Sequence, residues 1–138
     1  MADLNLKIVT PEKEVFNEDA DQVNVSTTQG ELGILPNHAA LMAKLIPGEL
    51  KIRKGSKVSH FAIGDGFLQI ENNSLTIMTD LAQNAEEIDE KAVEQARKRA
   101  EEALQQKLSG EEYAETLAAL EKSLAQLKVK RRRRTSII

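Results

Sequence analysis

The 138-residue chain has no cysteine and no tryptophan, and aromatic residues make up only 3% of it. Without cysteine there is no disulfide, no thiolate metal site and no thiol nucleophile. Without aromatic bulk the core must be aliphatic, which a hydrophobic content of 41% permits. No apolar run approaches the ~20 residues that a membrane-spanning helix needs. The opening MADLNLKIVT lacks the basic, long-apolar and cleavage regions of a signal peptide and is not an Arg-rich transit sequence. The chain is therefore read as cytosolic when made, with any membrane association through a partner. Its net charge of −3 excludes a nucleic-acid polycation as a description of the whole chain.

Constellations for chemistry are also missing. His38 and His60 are the only histidines, and no HxxxH or HExxH spacing joins them, so no zinc site is expected. There is no GxSxG elbow and no P-loop. Gly64-Asp65-Gly66 is too short for a phosphate-binding fingerprint and opens no helix. With titratable groups so scattered, no catalytic residue and no metal ligand is assigned.

What is present falls into two parts. In residues 1–84 apolar side chains alternate: Leu4, Leu6 and Ile8; Val23 and Val25; Leu50 and Ile52; Phe61 and Ile63; Leu68 and Ile70; Leu75 and Ile77. Turn signals separate these runs at Thr10-Pro11, Pro47-Gly48, Lys54-Gly55-Ser56, Gly64-Asp65-Gly66 and Asn72-Asn73. Period-two runs at such short spacing predict an antiparallel β-sandwich or barrel, and no helix-length pattern separates strands as βαβ units would require.

The character changes near Asn84. From Ile88 onward glycine occurs once and proline never. Ile88, Ala92, Ala96, Ala100, Ala103, Leu104 and Leu108 fall on one helical stripe. Asp89 is placed to cap the helix start. Glu94, Lys98 and Glu102 are spaced for i,i+4 pairs, and Gly110 is placed to end the helix. Ser109 and Glu112 form a capping box for a second helix, with Tyr113, Leu117, Leu120, Leu124 and Leu127 as its apolar stripe. Two such stripes across a two-residue turn predict an antiparallel helical hairpin over residues 85–138. Its buried area is modest, so it must dock elsewhere, and in isolation it is expected to lie folded.

Charge is distributed unevenly. Residues 1–84 carry 7 basic and 11 acidic groups, residues 85–127 carry 6 and 11, and residues 128–138 carry 6 basic groups with no acid. The terminal KVKRRRRTSII reads as a solvated charge run or as a contact for an acidic surface. No aromatic residue interleaves with its arginines, so the stacking platform of single-strand binders is missing.

The stretch 30–42, GELGILPNHAALM, is expected to form a shaped loop presenting Glu31, Asn37 and His38, with Gly30 and Gly33 setting its backbone. Gly30, Leu32, Gly33, Ile34, Pro36, His38, Ala39 and Leu41 resemble the signature loop of the epsilon subunits of the rotary, proton-translocating ATP synthases, with Ala40 where that family usually has proline. The likeness continues through Ile63–Ile70, Leu75–Met78 and Ile88–Glu102 and covers nearly the whole chain. Gly64–Phe67 corresponds to the family's Ser/Met-Gly-Gly-Phe turn, with Asp65 in place of the first of its two glycines.

The resemblance implies a β-sandwich, residues 1–84, that binds the gamma subunit and the c-ring, followed by a regulatory helical hairpin, residues 85–138, with a basic tail. It implies a non-catalytic rotor subunit on the cytoplasmic face of a bacterial plasma membrane, with a thylakoid as the alternative. Gly30, Glu31, Gly33 and His38 become candidate c-ring-side residues. Lys122, Lys128, Lys130, Arg131, Arg132, Arg133 and Arg134 become candidate inhibitory contacts with the catalytic beta subunit. Some members bind regulatory ATP at the start of the first hairpin helix. Asp89 and Arg99 match candidate ATP contacts, but Ala92 stands in place of the motif arginine, so weak or no nucleotide binding is expected and no cofactor is required. The rival readings are an adaptor that binds an acidic partner or nucleic acid through the basic tail, a small β-domain enzyme, and a scaffold that dimerises through its hairpin.

Overall fold

A computed structural model describes residues 3–136, with side chains described through residue 131. Nine strands come first: β1 Leu4–Val9, β2 Glu14–Ala20, β3 Gln22–Thr27, β4 Gly30–Ile34, β5 Leu41–Lys54, β6 Lys57–Ile63, β7 Gly66–Glu71, β8 Ser74–Thr79 and β9 Ala82–Asn84. A 3-10 turn over Ala85–Glu87 leads into two helices, α1 Glu90–Leu104 and α2 Gly110–Ser136.

The strands hydrogen-bond in the order β2-β1-β8-β7-β5-β3-β4, with β6 and β9 extending from β5. All pairings are antiparallel except β1 with β8, a parallel pair that joins the start of the sandwich to its last long hairpin. The fourteen-residue β5 serves both layers. Its first half, Leu41–Leu45, pairs with β7, and its second half, Gly48–Lys54, pairs with β6. Pro47-Gly48, expected as a turn, lies inside this strand where it changes partner. Proline lacks an N–H to donate, so it fits a point where a ladder is already interrupted.

Alternation decides what each strand buries. Leu4, Leu6 and Ile8, Val23 and Val25, Leu50 and Ile52, Leu68 and Ile70, and Leu75 and Ile77 all point into one aliphatic core. Each such fully buried side chain contributes about 1.5–3 kcal/mol. Phe16 of β2 meets Phe61 of β6 edge-on, with ring centroids 5.7 Å apart, and ties one layer to the other. At Asn72-Asn73 both residues take positive φ, 49° and 61°, as a two-residue hairpin of type I′ requires.

In the helical part Asp89 caps α1 by accepting from the Lys91 and Ala92 N–H groups. At the start of α2 the Glu112 N–H donates to the Ser109 hydroxyl at 3.2 Å, and that hydroxyl donates to the Glu112 carboxylate at 3.0 Å. Gly110 does not end α1. That helix stops at Leu104, and Gly110 opens α2. The connection is therefore longer than the two-residue turn expected.

The helices pack on each other, and α2 also lies against β5 and β6. A helix covered on two sides does not bury a single a/d stripe. Ser123, Ala125, Leu127 and Val129 are buried, whereas Tyr113 and Leu124 are 48% and 47% exposed. On α1 Ala100 is buried but Ala92 faces solvent. A small apolar cluster of Ala62, Ala85, Ile88 and Val129, with Val93 against it, joins the hairpin to the sandwich. Among the described residues no helix is long and apolar enough to cross a membrane.

Candidate functional site

The signature stretch divides between a strand and a loop. Gly30–Ile34 is the edge strand β4, paired with β3 so that Glu31 stands opposite Ser26. Gly30 has φ +110°, a value that L side chains resist, at the tight β3–β4 turn, where the Thr27 hydroxyl donates to its carbonyl at 2.7 Å. Gly33 keeps an ordinary strand backbone, so it does not set loop shape. The loop itself is residues 35–40. Pro36 precedes Asn37 at φ 69°, and the His38 N–H donates to the Leu35 carbonyl at 3.2 Å, which is a type II turn.

That turn is anchored to the β7–β8 hairpin. The Asn37 N–H donates to the Asn73 side-chain oxygen, and the Asn73 amide returns a bond to the Asn37 side chain at 3.2 Å. His38 is half-buried, and its Nδ1 lies 2.7 Å from the Ala39 carbonyl oxygen. A carbonyl accepts only, so Nδ1 carries the proton. Glu31 and His38 thus stand on different elements, the first exposed on an edge strand and the second in a turn held at two points.

The Gly64–Phe67 turn, with Asp65 in it, is tied to the Thr79–Leu81 segment. The Gly64 N–H donates to the Leu81 carbonyl, and the Asp65 carbonyl accepts from the Asp80 N–H and the Thr79 hydroxyl. The unusual backbone falls on Gly66, at φ +154°.

On the outer face of β5, β7 and β8 the register sets Lys44 beside Phe67 and Phe67 beside Met78, with Met42 one row away. Met42 is 65% exposed, Phe67 51% and Met78 38%. Sequence reasoning did not single out this apolar patch. The signal was alternation: Phe67 and Met78 are out of phase with the buried Leu68, Ile70, Leu75 and Ile77.

Lys122, Lys130 and Arg131 of α2 are turned towards their own chain. Lys122 Nζ lies 2.6 Å from Asp80 Oδ2. Lys130 donates to the Ala85 carbonyl at 3.1 Å. Arg131 reaches α1, with Nε 3.0 Å from Glu90 and an Nη atom 3.1 Å from Glu94. Lys128 lines a groove of about 540 Å³ between α2 and the sandwich, together with Lys44, Glu121 and Leu124. Arg132, Arg133 and Arg134 lie within α2, but their side chains are outside the described residues. The basic run is therefore a helical continuation, not an extended tail, through Ser136.

On α1 the expected pairing of Glu94 and Glu102 with Lys98 is replaced. Arg97 bridges Glu94 and Glu101 instead. The hydrogen bond from Arg97 holds the Glu94 carboxyl below its usual range against the opposing effect of desolvation, with lesser help from the charges of Arg97, Arg131 and Lys98. Arg99 is exposed and donates to the Gln95 carbonyl at 3.4 Å. It lies about 15 Å along the helix from Asp89, so these two candidate contacts are not brought together on one helix turn.

Similarity to known proteins follows the same division. Residues 3–85 match the model of the ATP synthase delta/epsilon chain β-sandwich domain, and residues 86–131 match that of the delta/epsilon chain long α-helix domain. The chain is 40% identical over 131 residues to the ATP synthase epsilon chain of Herpetosiphon aurantiacus, covering 95% of this chain and 96% of that one. It is 41% identical over 135 residues to the ATP synthase epsilon chain of Dehalococcoides mccartyi, covering 97% and 96%. Among solved structures it resembles a chain of the Euglena gracilis mitochondrial ATP synthase (OSCP/F1/c-ring), with a TM-score of 0.77 and 25% identity over 91% of this chain and 79% of that one. A chain of the Tetrahymena thermophila mitochondrial ATP synthase central stalk and c-ring shares the fold, with a TM-score of 0.65 and 23% identity over 94% and 97%. Both parts of the fold match the family in chain order, and full-length relatives carry its name, so this chain belongs to the ATP synthase delta/epsilon chain family.

Proposed function

We propose that this chain is the non-catalytic epsilon-type subunit of a central stalk. Its sandwich couples the gamma subunit to the c-ring, and its hairpin restrains ATP hydrolysis by the alpha and beta catalytic subunits. The observation that carries the coupling role is the exposed patch of Met42, Phe67 and Met78. Exposed apolar side chains gathered on one face of a small fold mark an interface. Gamma is assigned to this patch, and the polar residues Glu31 and His38 are assigned to the c-ring loops. The chain is then peripheral on the cytoplasmic face of a bacterial plasma membrane, held there by the assembled enzyme.

The regulatory role is supported by how the hairpin is docked. Among the described residues, the apolar cluster that joins it to the sandwich has four buried members, whereas the sandwich core has sixteen. A joint with a small apolar cluster and several partly exposed polar ties can be exchanged for another surface at modest cost. On release, Lys122, Lys128, Lys130 and Arg131–Arg134 become available to an acidic segment of the beta subunit.

Hydrolysis by the matching catalytic head, purified without this chain, tests both roles. Adding the full chain is expected to slow hydrolysis, and replacing Arg131–Arg134 with glutamine is expected to relieve that inhibition while gamma binding persists. Equal hydrolysis with and without the full chain would remove the inhibitory role, and failure to bind gamma would remove the coupling role.

A further inference from the structure

The hairpin's polar ties follow a register. Lys122, Gln126 and Lys130, one turn apart on α2, reach Asp80, Gln83 and Ala85 in chain order. All three hold α2 to the segment that leaves the sandwich. The next residue, Arg131, crosses instead to the first turns of α1. Its guanidinium takes one carboxylate oxygen from Glu90 and one from Glu94, residues four apart and so on one helix face. Glu94 is itself held by Arg97, which also takes Glu101. The guanidinium thus closes a chain of alternating charges that runs over three turns of α1.

We infer that Glu90 and Glu94 of α1 clasp Arg131 of α2, that this clasp sets how often the hairpin opens, and that it competes with any external acidic surface for the same guanidinium. Three features support this. The clasp lies where the open ends of the two helices meet, far from the Gln105–Ser109 connection, so it acts with the longest lever on hairpin opening. Two planar acceptors address one fork of donors, the geometry in which arginine outperforms a point charge. The Arg131 side chain is 52% exposed, so salt and competing carboxylates reach it.

The clasp has a consequence opposite to intuition. Removing negative charge from α1 releases a cation of α2, so a variant with fewer acidic groups becomes the better inhibitor. This consequence rests on the inhibitory role proposed above, whereas the clasp itself does not.

The experiment uses the full chain. The protein has no cysteine, so Ser56→Cys in the sandwich and Thr135→Cys near the end of α2, far from the connection, accept a fluorescent donor and acceptor. The open fraction is read from their distance in the parent, in Arg131→Gln, in the double variant Glu90→Gln/Glu94→Gln, and in all three changes combined. Glutamine keeps helix propensity, so the helices themselves persist, as circular dichroism would verify. The open fraction is expected to rise severalfold in each variant and no further in the combination, because a pair already broken cannot be broken twice. Added to the catalytic head, Glu90→Gln/Glu94→Gln should inhibit more strongly than the parent, and Arg131→Gln should not. Unchanged distances in both variants, or fully additive ones, overturn the clasp. Shifted, non-additive distances with unchanged hydrolysis uphold the clasp and overturn the inhibitory role.

Discussion

Gly66 sits against the Met78–Thr79 backbone so closely that a β-carbon on it would fall within 2.8 Å of Thr79 Cα and still nearer the Met78 carbonyl. This relationship locks the β7–β8 register at the end of the hairpin opposite Asn72-Asn73. It also fixes the turn that starts the exposed patch, since Phe67 follows directly.

Gly66→Ala is therefore expected to destabilise the sandwich by about 2–4 kcal/mol, through backbone clash and an unfavourable φ together. Gly55→Ala supplies the contrast. Gly55 has φ +60° but open space around its Cα, so only about 1 kcal/mol should be lost. Urea midpoints of the two variants test the difference.

Phe67→Glu and Met42→Glu should leave the unfolding free energy from urea titration within about 0.5 kcal/mol of the parent, because both side chains are already exposed. Gamma binding should fall by tenfold or more, as expected when a charge is buried unpaired in an apolar contact. Retained gamma affinity in both variants would move the interface off this face.

Asp89→Ala removes the acceptor for two N–H groups at the start of α1 and should cost about 1 kcal/mol of hairpin stability. Hydrogen exchange of the first α1 turn is the direct measurement. Nucleotide should not repair the loss. Asp89 is occupied as a cap, Arg99 lies about three turns away, and Ala92 brings no cation. Calorimetric titration of the full chain with MgATP is expected to give no saturable heat.

Glu94 gives a pH dependence of definite sign. Its carboxyl is held below the ordinary value of 4.5 in the folded chain. The stabilisation is therefore complete above that value and is lost as pH falls through the lower folded one. Ellipticity of α1 should decline on acidification below about pH 4.5, and less so in Glu94→Gln, which has no proton to take up. A variant that titrates like the parent would assign the acid transition to other carboxylates.

Where a segment buries one face, the sequence announces it. The alternations in β1, β3, β7 and β8, the Asn72-Asn73 turn and both helix caps were legible because local chemistry and tertiary burial agree there. β2, EVFNEDA, was not, since most of its side chains face solvent and its only fully buried residue is Ala20. Gly30–Ile34 looked like a loop because glycine is a poor strand former, and it is a strand because the β3 edge supplies the partner. The α2 stripe was legible only in part, with Leu127 buried but Tyr113 and Leu124 exposed, because periodicity assumes one buried face and α2 has two. Among the candidate contacts, residue type and position were visible in the sequence. Their present partners were not, since Asp80, Ala85, Glu90 and Glu94 come to α2 only through the docked hairpin.

The passage of β5 between layers at Pro47 has a mechanical consequence. Two sheets joined only by side-chain packing can shear past each other under load. Here a covalent backbone runs from the Leu41 end of one layer to the Lys54 end of the other. A twisting force applied near the Pro36–His38 turn is carried through peptide bonds into the strand beneath α2. Connectivity in this fold thus adds to resistance against torque, beside the contribution of the packed core.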